Sequence, residues 1–136
     1  MITVEQYFGE KPHDEEQWVK ALDLLDRVNK LIAEAVKAGQ FSEVKDPDTG
    51  TQISGSRHGR GDGGFRLPDS PTGSPKSSHK RAMGVDVFDP VGRLDQWLTD
   101  AILEKHGLYR EAPAYTFGWV HLQTRTPLSG KRTFTP

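Results

Sequence analysis

The chain contains no cysteine, so disulfide staples, thiolate metal sites and cysteine nucleophiles are all excluded. Any metal must be held by histidine and carboxylate. An excess of one charge is missing too: 18 basic residues face 19 acidic ones, for a formal net charge of -1. That removes the positive field with which duplex nucleic-acid or anionic-membrane binders reach their partners. No nucleic-acid partner is expected. No apolar run approaches the ~18 residues that span a bilayer, and the opening Met1-Ile2-Thr3-Val4-Glu5-Gln6-Tyr7-Phe8 lacks the basic start and apolar stretch of a secretory signal. The expectation is a monomer, cytoplasmic as synthesised and without membrane insertion. Hydrophobic residues make only 34% of the 136, enough for one modest core and therefore for a single domain over residues 1–136.

Regular structure concentrates at the two ends of the chain. From about Glu15 to Lys37, Trp18, Leu22, Leu25, Val28, Ile32 and Ala35 with Val36 recur at helical spacing. Asp14 with Gln17 three residues on reads as a capping box, and Gly39 as the stop. Thr3 to Phe8 is expected to add one short turn, completing an N-terminal helical part over residues 1–40. Between Phe41 and Met83 the periodicity vanishes, and this run holds seven of the 14 glycines with Pro47, Pro68, Pro71 and Pro75. It reads as a long loop with a short strand at Thr51 to Ser54; a connection this long in a compact domain is usually functional or disordered. Gly84 to Phe88 alternates as a strand, Arg93 to His106 follows as one helix with Leu94, Trp97, Leu98, Ala101 and Ile102 buried, and Gly118 to Thr124 alternates again. The last strand puts Trp119, His121 and Gln123 on one face and Val120 and Leu122 on the other. This order predicts a small α+β fold, with helices packed on one face of a mainly antiparallel sheet.

Three residues stand where propensity does not put them. His79 lies in the polar run Lys76 to Arg81, His121 in the middle of the last strand, and Asp86 at the centre of an apolar strand that an aspartate weakens. Two imidazoles and one carboxylate form a set that leaves the fourth tetrahedral position of zinc open, as catalytic sites do. On residues alone a second reading stays open, in which His121 is an ordinary hydrogen-bonded histidine and Asp86 pairs with Lys80 or Arg81.

The spacing Ser77-x-His79, six residues, Asp86 within Val-Asp-Val, and later Trp119-Val120-His121 resembles the zinc signature of the LAS-type metallopeptidases. That group contains D-alanyl-D-alanine carboxypeptidases and dipeptidases, peptidoglycan-cutting phage endolysins and the Hedgehog signalling domain. Ser54-Gly55-Ser56-Arg57 resembles the group's Ser-Gly-x-Arg element, so the likeness covers residues 51–124, the expected metal-site core. The segments Ile2 to Tyr7, Gly118 to Thr124 and Ser129 to Phe134 are similar to uncharacterised phage and prophage members. The resemblance implies Zn2+ on His79, Asp86 and His121, an active-site Arg57, and a bacterial cell-wall peptide as substrate. It also implies release at phage lysis or carriage in a virion.

Five positions depart from the group's pattern. Small residues are exchanged at Ala82 and Gly84, which still leaves room around a metal. In the peptidase branches a carboxylate or histidine precedes the last ligand by two or three residues, whereas here Trp119 and Gly118 stand there. Gln123 occupies a position where related sequences can have Asp, and an amide can orient water or substrate but cannot take a proton. Glu111, on the connection from Leu108 to Phe117, is the preferred base, ahead of His106, His58 and Asp62. If none serves, the chain is a zinc-containing binding module of the same fold; without a metal, it is a structural protein. Arg60-Gly61-Asp62 and the glycines Gly59, Gly61, Gly63 and Gly64 match short adhesion and phosphate-loop patterns by chance, since no helix or Lys-Ser/Thr follows.

Overall fold

A computed structural model describes residues 1–55 and 63–136. Among them, four α-helices and a four-stranded mixed sheet form the expected α+β fold. Helix α1 (Val4–Phe8) starts on a capping box in which the Thr3 hydroxyl accepts from Gln6 N–H and the Gln6 amide oxygen accepts from Thr3 N–H. Helix α2 (Glu15–Lys37) matches its expected bounds and begins on the expected Asp14–Gln17 box. Its buried stripe is Ala21, Leu24, Leu25, Val28, Leu31, Ile32 and Ala35, a wide apolar face at three- and four-residue steps. Leu22 and Val36, expected inside, are exposed because they fall on the flank of that stripe.

Strand β1 (Gly84–Phe88) is as expected, whereas the single helix expected over Arg93 to His106 is two, α3 (Arg93–Trp97) and α4 (Asp100–His106). Leu98 is extended between them, and the Thr99 hydroxyl accepts from Ile102 N–H as a new cap. The break lets Leu94, Leu98 and Leu103 all reach the core, while Ala101 faces solvent and Trp97 and Ile102 are half-buried. Strands β2 (Tyr109–Glu111), β3 (Trp119–Gln123) and β4 (Thr133–Phe134) complete the sheet. The expected strand at Thr51 to Ser54 is reduced to two single bridges, Asp46 to Thr51 and Ile53 to Val87.

The sheet order is β1-β3-β2-β4, antiparallel except for the last pair. Val85 and Val87 of β1 and Val120 and Leu122 of β3 are fully buried in one apolar cluster with the α2 stripe, Phe8 and Phe65. Side chains alternate along a strand, so Asp86, His121 and Gln123 point from the other face. On the helical side Arg110 is buried, donating to the Asp95 and Leu98 carbonyls and to Thr133 Oγ1, which ties the end of α3 to β2 and β4.

Candidate metal centre

Register decides what meets on the site face. Asp86 pairs directly with His121, and in β2 Arg110 pairs with Leu122. Continuing that register by one residue puts Glu111 beside His121, and Glu111 in turn pairs with Phe134. Ile53 bridges to Val87 and Ser54 N–H donates to the Asp86 carbonyl at 2.9 Å. Ser54, Asp86, His121, Glu111 and Phe134 therefore form one row across the sheet, because directly opposed residues share a face.

His79 reaches the row from a 3-10 turn, Ser78–Arg81, capped by Ser77, whose Oγ accepts from His79 N–H. The turn ends on Ala82, in the left-handed conformation at φ 58°. Many LAS-type sequences have glycine at the matching position, the residue that adopts positive φ without a Cβ penalty. Gly84, on the site face of β1, answers the other exchange. A Cβ there would lie 2.9 Å from Ser78 Cβ and 3.1 Å from His121 Cε1. Gly84→Ala therefore pushes the His79 turn from the His121 ring; it is expected to cost about 1–3 kcal/mol, as other overpacked sites do, and to weaken metal binding. Urea unfolding with a metal titration checks both.

The three groups are 3–4% exposed and converge on one point. His79 Nε2 lies 3.2 Å from His121 Nδ1, His121 Nδ1 lies 2.9 Å from Asp86 Oδ1, and His79 Nε2 lies 3.2 Å from the same oxygen. Their outer partners assign the tautomers. His79 Nδ1 is 2.8 Å from the Gly64 carbonyl, and His121 Nε2 is 2.7 Å from Gln123 Oε1, whose amide nitrogen is committed to the Arg125 carbonyl at 2.7 Å. Carbonyl oxygens only accept, so each outer nitrogen carries the proton. The inner nitrogens then present lone pairs to each other and to a carboxylate. Neutral histidines cannot satisfy that arrangement; a cation or an added proton must. Ligands about 2.0–2.1 Å from a tetrahedral ion stand about 3.3 Å apart, close to the observed triangle. The group His79, Asp86 and His121 can hold a metal ion.

The surroundings orient each ligand. Gln123 Oε1 also accepts from Ser78 Oγ at 2.9 Å, so the His79 turn and the His121 strand share one acceptor. The amide is thereby a holder of the His121 ring, a different task from the expected one of orienting water or substrate. The buried Arg66 guanidinium lies 3.7 Å from Asp86 Oδ2, leaving Oδ1 toward the histidines. It is the cation beside Asp86, in place of the expected Lys80 or Arg81: Lys80 Nζ donates to the Ser70 carbonyl. Tyr7 of α1 braces the site twice, its hydroxyl donating to the Gly84 carbonyl at 2.9 Å and its carbonyl accepting from Phe65 N–H at 3.0 Å. Burial pushes the Tyr7 hydroxyl far above its ordinary range, which keeps it a donor. A Cβ on Gly64 would lie 2.6 Å from the Tyr7 carbonyl. That glycine, read from sequence as loop material, lets two backbones touch behind His79.

Electrostatics agree with the geometry. Burial alone would raise Asp86, but the adjoining His79 and His121 hold its carboxyl well below the usual range. Burial alone would lower His121, but the hydrogen bond and charge of Asp86, with Glu111 adding its charge, hold its imidazolium above the ordinary value.

Of the expected base candidates, the structure brings Glu111 to the site face, half-buried. His106 is elsewhere, its Nε2 2.5 Å from Glu34 Oε2 between α2 and α4. Arg57, His58 and Asp62 lie outside the described residues; Ser54, which starts the Arg57 element, is in the row beside Asp86. Sequence reasoning missed Ser78, Arg66, Gly64 and Tyr7. Only the repeated small residues at Gly63-Gly64 and Ser77-Ser78 gave a signal. Compared with family models, curated proteins and solved structures, the chain gives no match.

Proposed function

We propose that this protein is a zinc-dependent peptidase that hydrolyses bacterial cell-wall peptides, as a D,D-carboxypeptidase or an endopeptidase. The observation that carries the reading is the convergence of three lone pairs, from two histidines of fixed tautomer and one carboxylate, on the row that also holds Glu111. Two imidazoles and one carboxylate suit zinc, and the substrate class follows from the resemblance to the LAS-type metallopeptidases. A phage or prophage source, with access to the wall at lysis or from a virion, comes from the same likeness.

When bound, zinc supplies Lewis-acid chemistry, polarising a carbonyl and making water more acidic. The chain's own residues do the rest. Gly64 and Gln123 fix the two rings, and Arg66 keeps Asp86 presenting one oxygen. Glu111 stands next to His121 across the strand, where opposed Cβ atoms lie about 4.5–5.5 Å apart, and its carboxylate takes the proton of the attacking water. Arg57, which the resemblance puts in the active site, steadies the substrate carbonyl or pairs with a substrate carboxylate.

Gly118 and Trp119, in place of the base that other members carry before the last ligand, favour a second reading, a zinc-containing binding module. One experiment separates them: incubate the zinc-loaded protein with purified peptidoglycan and with a peptide ending in D-Ala-D-Ala, from about pH 6 to 9. New amino groups are expected. Fragment binding with no new amino groups supports the module, and neither binding nor cleavage removes both readings.

A further inference from the structure

We propose that Phe134 sets which substrate residue can depart with the new amino group, admitting a small side chain and refusing a large one; this deepens the peptidase reading and rests on it. Strands in a sheet are about 4.8 Å apart, and β2 lies between β3 and β4. Even so, the Phe134 ring centroid is 6.3 Å from that of His121, edge-on at 87°. The ring therefore leans over β2 toward His121, across the position of Glu111, its partner in register. Along the row, exposure rises from Asp86 at 3% and His121 at 4% to half-buried Glu111 and Phe134, so a substrate approaches over these two.

The chemistry then places the departing residue. In hydrolysis the water oxygen bonds to the carbonyl carbon, the carbon–nitrogen bond breaks, and the nitrogen receives the proton that Glu111 took from water. One carboxyl must touch both the water and the leaving nitrogen. The leaving residue therefore lies against Glu111, and its side chain meets the ring that leans over it. A hydrogen or methyl fits beside such a wall; a branched or aromatic side chain collides with it.

The backbone of β4 is held without the ring. Arg110 N–H donates to the Arg132 carbonyl at 2.8 Å, Ala112 N–H to the Phe134 carbonyl at 2.7 Å, and Arg110 Nε to Thr133 Oγ1 at 3.1 Å. Phe134→Ala thus removes the wall and leaves the strand. The test uses zinc-loaded protein and peptides that differ only in the leaving residue: glycine, alanine, leucine or phenylalanine. Wild type is expected to favour glycine and alanine over leucine in kcat/KM by at least about tenfold, the scale of one or two misplaced methylenes. In Phe134→Ala that preference is expected to shrink by about tenfold, with zinc content unchanged. Phe134→Leu, which keeps an apolar side chain, is expected to be intermediate and serves if the alanine variant does not fold. Calorimetric binding of peptide phosphinates carrying the same four side chains gives a readout independent of turnover and should follow the same order. Turnover by wild type with the same preference in either variant overturns this inference and leaves the peptidase reading standing. No turnover by wild type overturns the peptidase reading, and the phosphinate order then decides whether Phe134 gates the site; no phosphinate binding ends both.

Discussion

Zinc is expected to raise the melting temperature of the chelator-treated protein, and either His79→Ala or His121→Ala is expected to cut the rise to about a third or less. A ligand that binds only the folded chain stabilises it by RT ln(1 + [L]/Kd), about 4 kcal/mol at a thousandfold excess over Kd. In a domain of this size that corresponds to a shift on the order of 10 °C. The rise depends on three donors that meet only after β1, β3 and the His79 turn have packed, so the unfolded chain cannot bind comparably. Removing one histidine leaves two donors and is expected to weaken binding more than about 100-fold, beyond the loss of an outer partner. A thermal melt with zinc titration checks it, and an unchanged rise in both variants sinks the site.

The pH dependence has a definite sign. In the metal-free protein the converging lone pairs take a proton, and His121 is held above its ordinary value near 6.5. A group raised on folding stabilises fully below its unfolded pKa, and that contribution is lost as pH rises through the folded value. Asp86, held low, contributes above its unfolded value near 3.8 and loses that contribution as pH falls through the folded one. Metal-free protein is therefore most stable from about pH 4 to 6.5 and weakens above this. Zinc is expected to replace the proton, with an apparent affinity that climbs up to about tenfold per pH unit across the same range, and the loaded protein is expected to keep its stability into the alkaline region.

The second large effect is on turnover. Glu111→Gln is expected to keep one equivalent of zinc and to lose kcat by about 100- to 10,000-fold, the usual contribution of a positioned base. An amide has nearly the same shape but takes no proton, and Glu111 shares no ligand hydrogen bond in the His79, Asp86 and His121 cluster, so metal binding should survive. Metal analysis beside steady-state kinetics separates the two. If kcat survives in Glu111→Gln, the base is elsewhere, with His58 and Asp62 next in line.

Legibility in the sequence followed from how local each cause is. The capping box at Asp14, the span of α2 and the alternation of β1 and β3 depend on neighbours within a few residues, so pattern alone placed them. The candidate group was visible for a different reason: a polar residue inside an apolar strand demands a partner, His121 and Asp86 were the two that demanded one, and His79 joined them through the resemblance. The strands β2 and β4 were invisible because two or three residues carry no period. The break at Leu98-Thr99 was hidden because a helix through it satisfies the same local preferences, and only the core's need for Leu103 decides against it.

Sequence alone thus determined the α+β class and the long helix, since residue type and short-range spacing carry both, and it singled out His79, Asp86 and His121 as a candidate group through two polar strand residues and the family resemblance. Tertiary structure alone decided what surrounds them: Arg66 behind Asp86, Gly64 on His79, Gln123 shared by His121 and Ser78, Tyr7 beneath β1, and Glu111 with Phe134 in the row. Each of these depends on strand register or on chain segments far apart in sequence, and a one-residue slip in register would turn Glu111 to the opposite face.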